Sequence, residues 1–287
     1  MFLSYEILLF SMHYYISILR PLNCIMAGLA VIIGAMIAST TFFTIPVLLA
    51  SLVAFLVCGA GNVINDYFDY EADKINNPSR PLPSGKISLS KAYAYAISLF
   101  FIGVLLSFGI NIYAFTIALL NSLLLYIYPW RVKEKGGLSK NLLVSYLVAS
   151  PFLFGGVSAG ETAEWRATLI FVFLAFFANT SREIIKDIED IRGDVANTLP
   201  KKVGIKTSCK IAFLFTFLAV ILSPLPSLLG YLNLYYLLLV GIADVIFLYT
   251  TLSFMHNPSI ERAKITQRRI KLGMIFALIA FVVGKLL

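Results

Sequence analysis

Charged residues are scarce in this chain. Only 13% of its 287 residues are Asp, Glu, Lys or Arg, whereas 59% are apolar. A soluble domain is about one quarter charged and just under one half apolar, so this composition excludes an ordinary soluble domain. Together with a mean hydropathy of +0.87, it predicts a polytopic helical membrane protein.

Cysteine and histidine are also few. The three cysteines, Cys24, Cys58 and Cys209, stand singly in apolar segments, and the two histidines are far apart. This pattern argues against a disulfide framework and against a zinc site. Any chemistry in the chain therefore has to come from its other polar residues.

Long apolar segments are abundant instead. A membrane-spanning helix needs about twenty predominantly apolar residues, and nine segments meet that need: 16–39, 45–68, 90–108, 111–129, 141–160, 166–186, 208–227, 231–254 and 268–286. The sequence predicts an all-α membrane fold with nine transmembrane helices around a central apolar chamber.

The basic residues indicate an orientation. Twenty of the 23 lysines and arginines follow an even-numbered segment, and the alternate loops contain only Arg166. The positive-inside rule then places the N-terminus and the even-numbered loops in the cytoplasm. The net charge of +8 is explained by the basic cytoplasmic loops and by a face of the protein that attracts phosphate groups. No nucleic-acid partner is expected.

An acidic helix face closes the second segment. On an α-helix Asn62, Asp66, Asp69 and Asp73 fall within an arc of about 60°, with Asn65 at its edge. An unpaired carboxylate is expensive at a membrane boundary. This face therefore indicates a bound partner or a function.

A second acidic helix end repeats the pattern. Asp187, Asp190 and Asp194 have the same spacing, 121 residues later, and each triad is followed by Leu-Pro and a basic turn. Either triad alone could be a solvated helix end, but two in matched contexts favour a function. Within a single domain of residues 1–287, the sequence thus predicts an internal repeat near 62–91 and 179–210.

Two carboxylate clusters beside a basic rim suit hard divalent cations. Mg²⁺ prefers oxygen ligands and shares its shell with phosphate oxygens. Mg²⁺, a diphosphate and an apolar chamber are needed together for heterolysis of an allylic diphosphate, in which the leaving group is stabilised and the allylic cation forms away from water. Some of the 15 tyrosines and 23 phenylalanines can offer ring faces to such a cation.

These motifs resemble those of the UbiA-type intramembrane prenyltransferases. The likeness rests on "NDYFDYEAD", "DIEDIRGD", "RPLPSGKIS", "RPLN" and the nine segments, and it covers nearly the whole chain. It implies that catalysis depends on two Mg²⁺ ions that bridge the diphosphate. It also implies the metal ligands Asn65, Asp66, Asp69, Asp73, Asp187, Asp190 and Asp194.

The resemblance also implies substrate-binding residues, namely Arg20, Asn23, Arg80, Tyr126, Tyr128, Arg131 and Lys133. The family's YxxxK pattern is not reproduced here, because Trp130 stands four positions after Tyr126 and Val132 four positions after Tyr128. Both tyrosines and both cations of this stretch therefore stay candidates.

Within the family, the sequence is most similar to the archaeal ether-lipid branch. That branch transfers a geranylgeranyl group from its diphosphate to the sn-2 hydroxyl of geranylgeranylglyceryl phosphate. Arg20, Lys201 and Lys202 are surplus cations that could bind the acceptor phosphate. Members that act on aromatic acceptors share the metal motifs and remain an alternative.

The expected partners are a prenyl diphosphate, a lipid-like acceptor and membrane lipids, with no obligate protein partner. The expected location is the cell membrane, with a polar site that opens to the cytoplasm. A cation-coupled secondary transporter is the alternative from another class, although these carboxylates lie at helix ends rather than near the midplane. Asp244, inside the eighth segment, is expected to form an interhelical hydrogen bond.

Overall fold

The computed structural model describes residues 12–191 and 197–287, and this part of the chain is helical without a β-strand. Short helices, Tyr70–Asn76 and Leu199–Val203 among them, lie between nine long ones. The long helices are α1 (Pro21–Ala38), α2 (Ile45–Phe68), α3 (Leu89–Phe108), α4 (Ile112–Ile127), α5 (Gly137–Ser158), α6 (Thr168–Glu189), α7 (Ile205–Leu222), α8 (Leu234–His256) and α9 (Ile260–Leu286).

Eight helical segments of the described chain, which correspond to α1 to α8, are long and apolar enough to cross a membrane. The fourth of them, Ile112–Lys135, comprises α4 and the helical turns that follow it. The predicted multi-pass helical fold is therefore confirmed. Helix α9 coincides with the ninth apolar segment, but it begins eight residues earlier and its first half carries Arg262, Lys264, Arg268, Arg269 and Lys271. A ninth crossing and the orientation of the bundle stay predictions.

Both acidic helices end at an aspartate. Helix α2 is followed by Asp69, with φ −85° and ψ 3°, and α6 by Asp190, with φ −86° and ψ 2°. Each donates its backbone N–H to the carbonyl oxygen four residues earlier, at 2.9 and 3.0 Å. Equivalent positions of the two motifs thus share one backbone conformation, while the wider internal repeat stays a prediction.

The apolar core has two main parts. One cluster of buried side chains is formed by α1 to α5, and another by α6 to α9. The first part contains α2 and the second contains α6, so each carries one of the acidic helix ends. This division leaves room for a chamber between the two parts.

Helices α1 and α5 cross in close contact through two glycines. A Cβ atom added at Gly34 would lie 2.0 Å from the Phe152 carbonyl oxygen, and one at Gly155 would lie 1.9 Å from the Val31 carbonyl oxygen. Small residues of this kind allow backbones to approach within membranes. The crossing fixes α1, and with it Arg20, against the rest of the bundle.

Gly155→Ala is expected to lower the free energy of unfolding by about 1–3 kcal/mol, because overpacking forces the backbones apart. Thermal unfolding in detergent measures this. Gly241→Ala is the control: Gly241 lies within α8, and an added Cβ there meets no heavy atom within 4 Å. It should be neutral or slightly stabilising. Equal unfolding midpoints for wild type and Gly155→Ala would contradict the prediction.

Candidate active site

The first acidic motif is neutralised by arginines from two directions. Asp66 is only 4% exposed, and its Oδ1 accepts a hydrogen bond from Arg20 Nη2. Arg80 Nη1 lies 2.6 Å from Asp73 Oδ2 and 3.7 Å from Asp66 Oδ1. Because burial makes an unpaired carboxylate costly, these arginines allow two carboxylates to be buried side by side.

Asp69 is bound by a lysine from further along the chain. Lys133 Nζ lies 2.6 and 2.5 Å from its two carboxylate oxygens. Asn65 Nδ2 donates to Asp69 Oδ2 at 2.8 Å. Lys133 directly follows the π-helical turn Tyr128–Val132, which brings this part of the chain to the end of α2.

Arg20 has an unusual backbone. With φ 55° and ψ 68°, it is the only residue other than glycine with a positive φ in the part of the chain that the structure describes. Such a conformation costs on the order of 1–3 kcal/mol and tends to occur at functional sites. Here it lies immediately before Pro21, at the start of α1, and the guanidinium reaches Asp66.

The second motif contains a buried ion pair. Asp187 is 4% exposed, and its Oδ1 lies 2.6 Å from Lys140 Nζ. Its Oδ2 and both amide atoms of Asn141 are buried without a hydrogen-bond partner among the described residues. Asp190, by contrast, has a side chain that is 47% exposed and lies 3.6 Å from Lys186.

The donor atoms of the two motifs are of the kind that Mg²⁺ binds. In residues 12–191 and 197–287, no three His, Cys, Asp or Glu side chains form a ready-made metal site. The donor type nevertheless fits: Mg²⁺ takes oxygen ligands, and Asp187 offers a buried oxygen that lacks a partner in the described chain. Asp194 lies outside the described residues.

A chamber of about 780 Å³ opens beside the two motifs. At one end it is lined by polar residues, namely Arg20, Asn23, Asn62, Asn65, Tyr128, Arg182 and Glu183. Further in, its walls are mostly apolar and include Val53, Val57, Leu125, Phe154, Leu174, Phe247 and Phe281. The chamber can hold a molecule that has a charged head and a long apolar tail.

The structure separates the two candidate tyrosines. Tyr128 lines the chamber, whereas the hydroxyl of Tyr126 lies 3.2 Å from that of Tyr93 and does not line it. Arg131 is not brought to the carboxylates, because its guanidinium lies 4.4 Å from the ring centroid of Trp130. Tyr128 and Lys133 are thus the members of this stretch nearest to the predicted chemistry.

Three other charged residues of the motif regions lie outside the chamber lining. Lys202 Nζ donates to the Lys135 carbonyl oxygen at 2.7 Å, and both Lys201 and Lys202 are exposed. Glu71 has a side chain that is 79% exposed and pairs with Lys74 at 3.0 Å. The Glu71 carboxylate raises the pKa of Lys74.

The predicted site residues omit three members of the site. Arg182 and Glu183 line the chamber, and Arg182 Nη1 donates to Glu183 Oε1 at 2.5 Å. Lys140, counted with Arg182 only as a topology signal, is the partner of Asp187. Helical periodicity already places Glu183 one turn before Asp187, but the sequence alone assigned it no role.

Comparisons with known proteins agree with this geometry. The model of the UbiA prenyltransferase family matches residues 27–279. Over 279 residues the chain is 43% identical to the digeranylgeranylglyceryl phosphate synthase of Methanococcus aeolicus. The aligned region covers 96% of this chain and 98% of that protein. The chain belongs to the UbiA prenyltransferase family.

Solved structures have the same fold. A structure described as digeranylgeranylglyceryl phosphate synthase in membranes superposes with a TM-score of 0.86 at 40% identity, covering 96% of this chain and 98% of that one. A UbiA homolog from Archaeoglobus fulgidus bound to GPP and Mg²⁺ superposes with a TM-score of 0.68 at 18% identity, and the match covers 92% of this chain and 99% of that one. The second likeness extends to the fold alone.

Proposed function

We propose that this enzyme transfers a geranylgeranyl group from geranylgeranyl diphosphate to the sn-2 hydroxyl of geranylgeranylglyceryl phosphate, in a Mg²⁺-dependent reaction. The full-length similarity to digeranylgeranylglyceryl phosphate synthases supports this reaction. The observation that carries the proposal is the chamber of about 780 Å³, whose polar end lies beside paired carboxylates and cations.

The metal part of the proposal concerns the two acidic motifs. Asn65, Asp66, Asp69, Asp73, Asp187, Asp190 and Asp194 would hold two Mg²⁺ ions. When bound, the ions would supply electrostatic stabilisation of the departing pyrophosphate. The buried Asp187 Oδ2, which has no partner in the described chain, supports this assignment.

The protein's own side chains would act on both substrates. In the reaction, the bond between C1 of the donor and the diphosphate oxygen breaks, and pyrophosphate leaves with the electron pair. The sn-2 oxygen then bonds to C1, and its proton passes to the released pyrophosphate. Arg80 and Lys133 would offset the growing negative charge of the leaving group, and the apolar walls would exclude water from the allylic cation.

Arg80→Gln and Lys133→Gln are each expected to weaken binding of a non-hydrolysable diphosphate analogue about ten- to a hundredfold. Each removes a charge-assisted contact worth roughly 1.5–3 kcal/mol. Isothermal titration calorimetry measures the affinity. Arg131→Gln is the matched control, since Arg131 stacks on Trp130 and should be dispensable for binding. Equal affinity in wild type, Arg80→Gln and Lys133→Gln would contradict the assignment.

The acceptor phosphate needs cations of its own. Arg20, Arg182 and Lys271 line the chamber, whereas Lys201 and Lys202 do not. Arg20 is paired with the buried Asp66, and Arg182 with its neighbour Glu183. Because they line the chamber, we favour Arg182 and Lys271 over Lys201 and Lys202.

Arg182→Gln is expected to raise the KM for the phosphorylated acceptor at least about tenfold, and that for the prenyl diphosphate much less, because only acceptor binding is lost. Steady-state kinetics with each substrate varied in turn measures both. The double variant Lys201→Gln/Lys202→Gln is the comparison. A larger effect on acceptor KM in that variant would instead support the exposed lysines.

A panel of acceptors tests the proposed function directly. Purified protein is incubated with labelled geranylgeranyl diphosphate, Mg²⁺ and either geranylgeranylglyceryl phosphate or an unphosphorylated aromatic acceptor. Label should pass to the glyceryl phosphate. Transfer to the aromatic acceptor alone would replace the proposed acceptor, and no transfer to either acceptor would contradict the proposed function.

The proposal includes an orientation. The loops after even-numbered segments carry most of the lysines and arginines, which supports a cytoplasmic N-terminus and a site that opens to the cytoplasm. Both acidic motifs lie on that side of the bundle. Water-soluble diphosphate groups would reach the site there, while the tails would lie within the membrane.

A further inference from the structure

The inner part of the chamber contains a carboxyl group that the proposed transfer does not use. Asp244, within α8, accepts a hydrogen bond at Oδ2 from Ser223 Oγ at 2.5 Å. Ser223 directly follows α7, and its carbonyl oxygen accepts a hydrogen bond from the Tyr236 hydroxyl at 2.6 Å. The predicted interhelical hydrogen bond of Asp244 is therefore present, between α8 and the end of α7.

This pair is part of the chamber wall. Both Asp244 and Ser223 line the chamber, and their neighbours in its lining include Ala219, Val240 and Phe247. A bond that served only to join two helices would not need to face the chamber. An ionisable side chain inside a membrane helix is costly and usually functional.

The pair lies far from the acidic motifs. Asp244 is twelve residues before His256, where α8 ends, which corresponds to about 18 Å along the helix axis. Ser223 lies at the opposite end of α7 from the basic loop that precedes that helix. A substrate whose charged head binds at the carboxylates would therefore bring the end of its tail towards this polar pair.

We propose that the Asp244–Ser223 pair limits the length of the isoprenoid tail that the chamber accepts. A tail that reaches past the pair has to displace the hydrogen bond or press hydrocarbon against the carboxyl group, and either one costs free energy. A tail that stops short of the pair meets only the apolar walls. This inference rests on the proposed prenyl transfer, and it applies to donor and acceptor tails alike, since both are isoprenoid.

Two competition experiments test the proposal. In one, geranylgeranyl diphosphate competes with a diphosphate one isoprene unit longer, with the acceptor fixed; in the other, acceptors of two tail lengths compete, with the donor fixed. The readout is the ratio of kcat/KM for the longer tail to that for the shorter one. Asp244→Leu should raise this ratio at least about tenfold in one arm, and that arm identifies the tail that reaches the pair.

Further variants separate length selection from a structural role. Asp244→Asn keeps a polar group and should keep the preference for the shorter tail, whereas Ser223→Ala should relax it in the same direction as Asp244→Leu. If Asp244→Leu does not fold, Ser223→Ala alone decides. Lower turnover with unchanged ratios in both arms would overturn the proposal. Failure of the proposed function would be seen separately, as wild-type protein that forms no product in either experiment.

Discussion

Asp69→Asn should reduce prenyl transfer at least about a hundredfold while the protein still folds and inserts. Asp69 closes α2 and is held by Lys133 and Asn65, so its amide analogue keeps the shape and loses the charge. Electrostatic stabilisation of a leaving phosphate by bound metal is worth several kcal/mol, which corresponds to this loss of rate. Asp190→Ala at the second motif should have a comparable effect.

Glu71→Gln provides the matched control for this prediction. It removes a carboxylate from the same stretch of chain, but Glu71 is exposed and pairs with Lys74, so activity should stay near that of wild type. Turnover at saturating Mg²⁺ is measured for all three variants, and circular dichroism in detergent checks their folding. Near-normal turnover in Asp69→Asn would rule out a paired carboxylate site.

Lys140→Met should destabilise the protein by about 3–5 kcal/mol. Its ammonium lies 2.6 Å from Asp187 Oδ1, and the two side chains are only 10% and 5% exposed. Removing one partner of a buried ion pair leaves the other charge uncompensated. Thermal unfolding in detergent measures the loss, and a midpoint equal to that of wild type would show that this pair does not support the fold.

A double variant distinguishes lost charge pairing from lost packing. Replacing a buried ion pair with apolar residues is often close to neutral, so Lys140→Met/Asp187→Leu should recover part of the stability lost in Lys140→Met. It should stay inactive, because Asp187 is also a proposed metal ligand. A double variant less stable than Lys140→Met would indicate that Asp187 supports the fold independently of Lys140.

Several features of the fold could be predicted because they follow from local physics. The length of apolar segments located α1 to α8, and helical periodicity placed Asp66 and Asp69 at the end of α2. Asp73 was predicted on the same helix, but it lies on the separate short helix Tyr70–Asn76, because α2 ends before Asp69. Helix α9 begins earlier than its apolar segment, since its basic residues continue the helix towards the N-terminal side. That extension costs little, because exposed lysine and arginine are good helix formers.

Other features depend on how helices pack and were not predictable. Tyr126 and Tyr128 are two residues apart, and only the position of α4 in the bundle decides that Tyr128 faces the chamber. The pairing of Lys140 with Asp187 joins residues 47 positions apart. Long-range contacts of this kind have no local sequence signal. From the sequence alone, a basic residue that binds a carboxylate of the site therefore cannot be distinguished from one that only sets the orientation of the membrane helices.

The buried ion pairs also bear on the order in which the protein is made. Arg20 comes before Asp66 in the chain, and Lys140 comes before Asp187. Synthesis proceeds from the N-terminus, so each of these buried carboxylates emerges from the ribosome after its cation. A nascent chain can therefore neutralise Asp66 and Asp187 as their helices enter the membrane, whereas Asp73 and Asp69 pair with Arg80 and Lys133, which are synthesised later.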